Sequence, residues 1–386
     1  MTPRAETIRT LLEGHTSRAE EAQILALLGE AAAAELDEVI AAIDVNLLFS
    51  GVDDRLVGPD HRTALRALLS ETRLGDLKVP ARAAIARALQ RGRTCDADEQ
   101  ALVRILLETR GKDLTALKNA LNEAGDHRDL QKLVWVDIDD AQRRHTLLAH
   151  FAREAVPTGE VKVLSDIDDT LYENWKDTRY PPKTVYPGVV QFYAELDAGP
   201  RGEGRLGDLT FVSARPTDPL GAVEALTHRT LRSHGIKVAA VLTGSVISAR
   251  SNQAIAQKKL ENFLQYQALY PEYGFVFVGD SGQGDVMFGE AMRERAADAV
   301  KAVFIHDVVA TPQPRRDELA KKGVHLFDTY VGAAVTALEL QLISREGLER
   351  VCEAAQEKLR AIPFADEAQK RARWDDLERD LARAAV

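Results

Sequence analysis

Cysteine is scarce: 386 residues hold two, Cys95 and Cys352, too far apart in sequence to form a metal-ligand pair or a disulfide framework. Their scarcity points to a reducing, cytoplasmic setting with neither thiol in the chemistry. A basic surplus is also missing. Sixty Asp and Glu against fifty Lys and Arg give a formal charge of −10, which argues against nucleic acid as the main partner. No apolar run approaches bilayer length, and Met1–Thr10 lacks the apolar core of a signal peptide. The expectation is a soluble protein without a transmembrane segment, at most peripheral at a membrane surface. With 45% hydrophobic residues, the composition is that of a globular chain of about two to three domain units.

Residues 1–155 carry apolar positions at steps of three and four and few strand signals, the pattern of an all-helical domain. Leu11–Leu28 is echoed by Leu89–Leu106, with Thr16 and Thr94 separated by 78 residues, and Asp60–Leu68 is echoed by Asp140–Leu148. Two copies of one helical unit are expected. In each, a threonine precedes acidic residues four and five positions later (Glu20 and Glu21, Asp98 and Glu99), so Thr16 and Thr94 are the expected N-caps. The repeat is similar to annexin-type helical repeats, but no calcium loop is assigned and its partner is left open; a packing scaffold is the simplest role.

Pro157–Gly159 marks a boundary, after which short apolar runs alternate with helical periodicity. Strands are expected at Val161–Ser165, Leu209–Ser213, Val238–Thr243, Phe275–Gly279 and Val300–His306, with a short sixth at His325–Phe327. This predicts an α/β domain over 156–345 with a doubly wound, mostly parallel sheet, followed by a helical tail over 346–386. Ligands of such sheets sit at the carboxyl ends of the strands.

At those ends stand Asp166, Asp168 and Thr170 after the first strand, Ser213 after the second, and Asp280 with Asp285 after the fourth; Lys258 and Lys259 lie on the helix before the fourth. Carboxylates that close repel unless something positive lies between them. A hard divalent cation, Mg²⁺ first, resolves that repulsion and leaves room for a phosphate. Lys259 shares a helical face with Ile255, Phe263 and Tyr266, whereas Lys258 lies with Ala254, Glu261 and Gln265. The buried-face lysine needs an anion, so Lys259 is the expected phosphate clamp.

These residues resemble the haloacid dehalogenase superfamily of phosphohydrolases. More narrowly, Asp166-Ile-Asp168-Asp-Thr170-Leu, Val185-Tyr-Pro-Gly188-Val, Phe211-Val-Ser213-Ala-Arg-Pro216, Gly279-Asp280-Ser-Gly-Gln-Gly-Asp285 and His325-Leu-Phe-Asp-Thr-Tyr resemble the catalytic domain of actin-patch-type phosphatidate phosphatases, distant relatives of lipins. The resemblance spans roughly residues 160–345 and leaves the first 155 aside. Charge arithmetic and the resemblance imply the same roles. Asp166 attacks phosphorus and forms an aspartyl-phosphate; Asp168 is general acid and then base. Mg²⁺ is held by Asp166, the carbonyl of Asp168 and Asp280, with Asp285 ordering its shell. Ser213 and the backbone at Ala214 and Arg215 bind the phosphoryl oxygens. Arg215 departs from the family pattern, and a second substrate anion or a pair with Asp218 are equal alternatives. Thr170 holds the nucleophile loop or acts as a plain cap; Asp169 has no assigned task and is expected to be solvated or structural.

Tyr172–Lys183 is too short for a large cap. It is expected either to meet a lipid headgroup or to pack over the sheet edge. The implied activity is Mg²⁺-dependent hydrolysis of a phosphate monoester, phosphatidate or a related phospholipid first. A soluble phosphoester or phosphoprotein is the rival substrate, and a non-catalytic phospholipid-binding module the rival class.

Overall fold

A computed structural model describes residues 2–52, 60–90, 94–122, 129–174, 176–204, 209–212, 240–242 and 251–386. The chain divides into two compact units, Met1–Val156 with Ala268–Glu272, and Pro157–Gln267 with Tyr273–Val386.

Every secondary-structure element described in the first unit is helical. Its helices begin at Arg18 and Asp96, and again at Ala33 and Gly111, the same 78 positions apart in both pairs. The expected caps move by one residue. Ser17, not Thr16, caps the first of these helices in a capping box: its hydroxyl accepts from Glu20 N at 3.4 Å, and the Glu20 carboxylate accepts from Ser17 N at 2.7 Å. Thr16 is instead buried and donates to Leu11 O at 3.4 Å. At the second echo the cap is Cys95, with no side-chain bond, and Asp96, Asp98 and Glu99 in the first turn favour the helix dipole. The acidic residues one position beyond the first acid in each echo, Glu21 and Glu99, are both buried, Glu21 against the His61 ring at 2.7 Å and Glu99 against Arg143 at 3.2 Å. Lys118 is likewise buried and pairs with Glu272 at 2.8 Å over the rings of Phe151 and Tyr270, satisfying a charge that would be costly alone.

The second unit holds a parallel sheet of six strands in the order β3-β2-β1-β4-β5-β6: β1 Val161–Ser165, β2 Thr210–Val212, β3 Ala240–Leu242, β4 Gly274–Asp280, β5 Val300–His306 and β6 Val324–Phe327. The expected α/β fold is present, with β1 and β5 at their predicted bounds, β4 and β6 slightly extended, and β2 beginning one residue late at Thr210, while Ser213, Val238, Ala239 and Thr243 of the expected β2 and β3 lie outside the described residues. All-parallel strands buried on both faces read as continuous apolar runs rather than alternation, and the interior strand β4 is buried from Phe275 to Asp280. The order reverses between β1 and β4, and this switch point opens the crevice where a doubly wound sheet binds its ligand.

One core joins the sheet to the helices that follow it. Val163 of β1, Val276 of β4 and Phe192 of helix Val189–Ala198 pack with Val331, Val351 and Leu377 from helices Tyr330–Glu339, Arg345–Ala361 and Glu367–Ala384. No described helix is long and apolar enough to cross a membrane. Gly188 is a close approach in this packing with a left-handed backbone: its φ is +86°, and an added Cβ would lie 3.1 Å from Ala355 Cβ and 3.4 Å from Val351 O. Gly188→Ala is expected to lower stability by about 1–2 kcal/mol through the left-handed backbone, read as a lower urea midpoint at unchanged m-value.

Candidate active site

β1 runs into the site. Asp166 follows its last residue, and Asp166 N donates to Val278 O of β4 at 2.9 Å, so sheet pairing extends to the carboxylate-bearing residue. Beyond it the chain turns sharply: Asp169 has φ +56° and donates its N–H to Tyr172 O at 2.9 Å. Burial separates the two aspartates of this turn. Asp168 is half-exposed and accepts from Asn174 Nδ2 at 2.8 Å. Asp169 is fully buried, its carboxylate accepting from Asn174 N at 3.0 Å and Lys176 N at 2.7 Å. Asp169 is therefore the structural member of its two expected readings and is not solvated.

β4 delivers the second set. Asp280 ends the strand, and Asp285 opens helix Asp285–Arg295. Gly279 lets them approach, since a Cβ there would meet Asp285 Oδ2 at 2.6 Å. Asp280 accepts from Gly282 N at 2.7 Å through Oδ1, while its buried Oδ2 has no hydrogen-bond partner among the described residues. Helix Asn252–Leu269 supplies Lys259, buried with its Nζ 2.6 Å from Asp166 Oδ1 and 2.6 Å from Asp285 Oδ1. Lys258, one position away, turns outward to Glu261 at 3.1 Å.

Asp166, Asp280 and Asp285 each present a carboxylate oxygen within 4.8 Å of the others, and all three are buried. A single ammonium cannot neutralise three carboxylates. Burial, then the neighbouring Asp285, pushes Asp166 up to about 7 against the opposing pull of Lys259. Asp280 is raised well above the carboxylate range by burial, Asp285 and Asp166. For Lys259, burial lowers the pKa, but Asp166 and Asp285 more than offset it and the net shift is upward. Raised carboxylates beside an orphaned buried oxygen are what a hard divalent cation would relieve, since such ions take several oxygen ligands at once. The donor set fits a metal ion.

Thr170 is buried; its carbonyl accepts from Tyr330 Oη at 2.7 Å, and its hydroxyl has no hydrogen-bond partner among the described residues. Ser213, Ala214, Arg215 and Asp218 lie outside the described residues. Within Tyr172–Lys183 the described aromatics are turned inward, Tyr172 at 5% and Tyr180 at 8% exposure, so packing over the sheet edge describes them better than headgroup contact. Arg179 and Asp177 form a two-pronged ion pair at 2.8 and 2.9 Å, with Tyr186 Oη donating to Asp177 at 3.0 Å.

Two residues escaped the sequence reading. His306 ends β5 and is buried; burial, then Arg179, pushes its ring down to about 4, so it is neutral at pH 7. Asp307 accepts from Ser281 Oγ at 2.8 Å and Thr311 N at 2.7 Å and pairs with Arg316 at 2.5 Å, which together hold its carboxyl below its ordinary range despite burial. An apolar strand ending in His-Asp was a usable signal, since β1 and β4 likewise run into charged residues of the site, Asp166 and Asp280.

Residues 161–307, the segment that brings these groups together, match the family model described as phosphatidate phosphatase APP1, catalytic domain. This bears out the resemblance read from the motifs and makes the matched segment a catalytic domain of the phosphoric monoester hydrolase class. No curated protein matches, and no solved structure matches. With Lys259 enclosed between two carboxylates, Lys259→Ala is expected to lower phosphate release by at least about 10²-fold, as for loss of a preorganised electrostatic partner. Lys258→Ala should leave the rate close to wild type in the same assay.

Proposed function

We propose that the chain is a Mg²⁺-dependent phosphatase of haloacid dehalogenase type that hydrolyses a phosphate monoester through an aspartyl-phosphate, with phosphatidate or a related phospholipid as the favoured substrate. The observation that carries this reading is the Lys259 ammonium at 2.6 Å from both Asp166 and Asp285, with Asp280 in the same cluster. Such an array orders a nucleophilic carboxylate and meets incoming negative charge.

Asp166, at the end of β1, is directed at phosphorus by the sheet pairing that fixes its backbone. Its oxygen bonds to phosphorus as the ester oxygen departs, and Asp168 gives that leaving oxygen a proton. Asp168 then takes a proton from the water that cleaves the acyl phosphate and frees Asp166 and phosphate. Half-exposed Asp168 is suited to this exchange, while buried Asp166 is shielded from competing hydration. Asp166, Asp280 and the Asp168 carbonyl would hold Mg²⁺, with Asp285 ordering its shell; the ion supplies charge compensation between anionic nucleophile and anionic phosphate. Lys259 adds a fixed cation to the same end. Ser213, Ala214 and Arg215 remain the proposed contacts of the phosphoryl oxygens, and Thr170 supports the loop.

In this reading residues 156–345 form the catalytic domain and 1–155 a duplicated helical domain whose partner is open, the protein acting from the cytoplasm at a membrane surface. Phosphate release from an aryl phosphate and from phosphatidate vesicles, with and without Mg²⁺, tests the reading. Asp166→Asn is expected to lose roughly 10⁴-fold or more and Asp168→Asn roughly 10²–10⁴-fold, each in both substrates. Undiminished release by Asp166→Asn would contradict the mechanism; release from the aryl phosphate alone would move the substrate to a soluble phosphoester.

A further inference from the structure

We propose that His306 is a positioning residue that ties the loop carrying Asp166 and Asp168 to the loop carrying Asp280 and Asp285. Its ring holds the first and its backbone the second. His306 Nδ1 lies 2.9 Å from Asp169 O. A carbonyl only accepts, so the ring hydrogen is on Nδ1. Nε2 is then the acceptor, and it faces Arg179 Nη2, an obligate donor, at 3.1 Å. Arg179 is itself held by both oxygens of Asp177, so the tautomer is set from outside the ring. The carbonyl of the same His306 accepts from Ser281 N at 3.0 Å, directly after Asp280.

Asp169 needs such support. It is a non-glycine residue at φ +56°, a conformation that persists only where the surroundings over-determine it. Its N–H, its carboxylate and its carbonyl are all engaged, and His306 supplies the carbonyl's donor. The ring cannot swing away: Tyr186 packs edge-on at 4.4 Å and Phe327 stacks at 5.4 Å between centroids. A shift of Asp169 is passed to Asp168 by the chain, and a shift of Ser281 to Asp280. His306 thus sets the spacing of the two carboxylate loops without touching substrate.

The activity arm of the test rests on the proposed phosphatase reading; the structural arms do not. In the full-length protein, ¹⁵N shifts of the wild-type ring should show a neutral imidazole with hydrogen on Nδ1, and an Nε2–H tautomer would overturn the proposal without any variant. His306→Asn places an amide donor near Nδ1, whereas His306→Gln places it near Nε2. Hydrogen–deuterium exchange of peptides covering residues 167–176 should quicken about tenfold in His306→Gln, the scale of one lost hydrogen bond, and return toward wild type in His306→Asn. Equal exchange in wild type and His306→Gln, or equal quickening in both variants, would overturn it. Where wild type releases phosphate, kcat of His306→Gln should fall about 10²-fold, the scale of an ångström-sized misplacement, at nearly unchanged KM, with His306→Asn recovering most of it. A change confined to KM would contradict positioning. A wild type that releases no phosphate would end the phosphatase reading while tautomer and exchange still decide the tie.

Discussion

The ammonium of Lys259, enclosed between Asp166 and Asp285, is the interaction on which the site depends. Carboxylates from β1 and from the loop after β4 converge in a buried place, and without a cation their mutual repulsion and desolvation would force them apart or leave them protonated. One lysine is enough to assemble them but too little to neutralise them, which is visible in the upward shifts of Asp166 and Asp280. The remaining imbalance leaves the site attractive to a divalent cation. The same excess negative charge that would destabilise a plain core is here a binding property.

Much of this was legible in sequence because parallel strands are buried on both faces and break the chain into apolar runs. β1 and β5 were readable to the residue, and the polar groups at strand ends followed from the doubly wound pattern. The choice between adjacent lysines was legible for a helical reason: Lys259 lies with Phe263 and Tyr266, both buried, while Ala254 and Glu261 beside Lys258 are exposed. The helix caps were not. Thr16 and Ser17 are both competent caps, and only the reciprocal bond from Glu20 decides for Ser17.

What sequence could not reach was the supporting layer. Asp169 is indistinguishable in type from Asp168, and its burial follows from a left-handed turn closed by Asn174, Lys176 and His306, which come from separate positions in the chain. Asp307 and Arg316 brace the Ser281 turn through bonds that no local periodicity announces. The insertion shows the same limit. Its aromatic content left headgroup contact and packing both open, and it is the tertiary contacts of Tyr172 and Tyr180 that turn them inward.

The central claim is that Asp166, alone among these carboxylates, bonds to phosphorus. Acid quenching during turnover followed by borohydride, which reduces an acyl phosphate to an alcohol, converts a phosphorylated aspartate to homoserine that mass spectrometry can locate. The account requires homoserine at position 166 in the wild type, dependent on substrate and absent from Asp166→Asn. Steady phosphate release with Asp166 unreduced, or reduction at Asp168 or Asp285 instead, would contradict it.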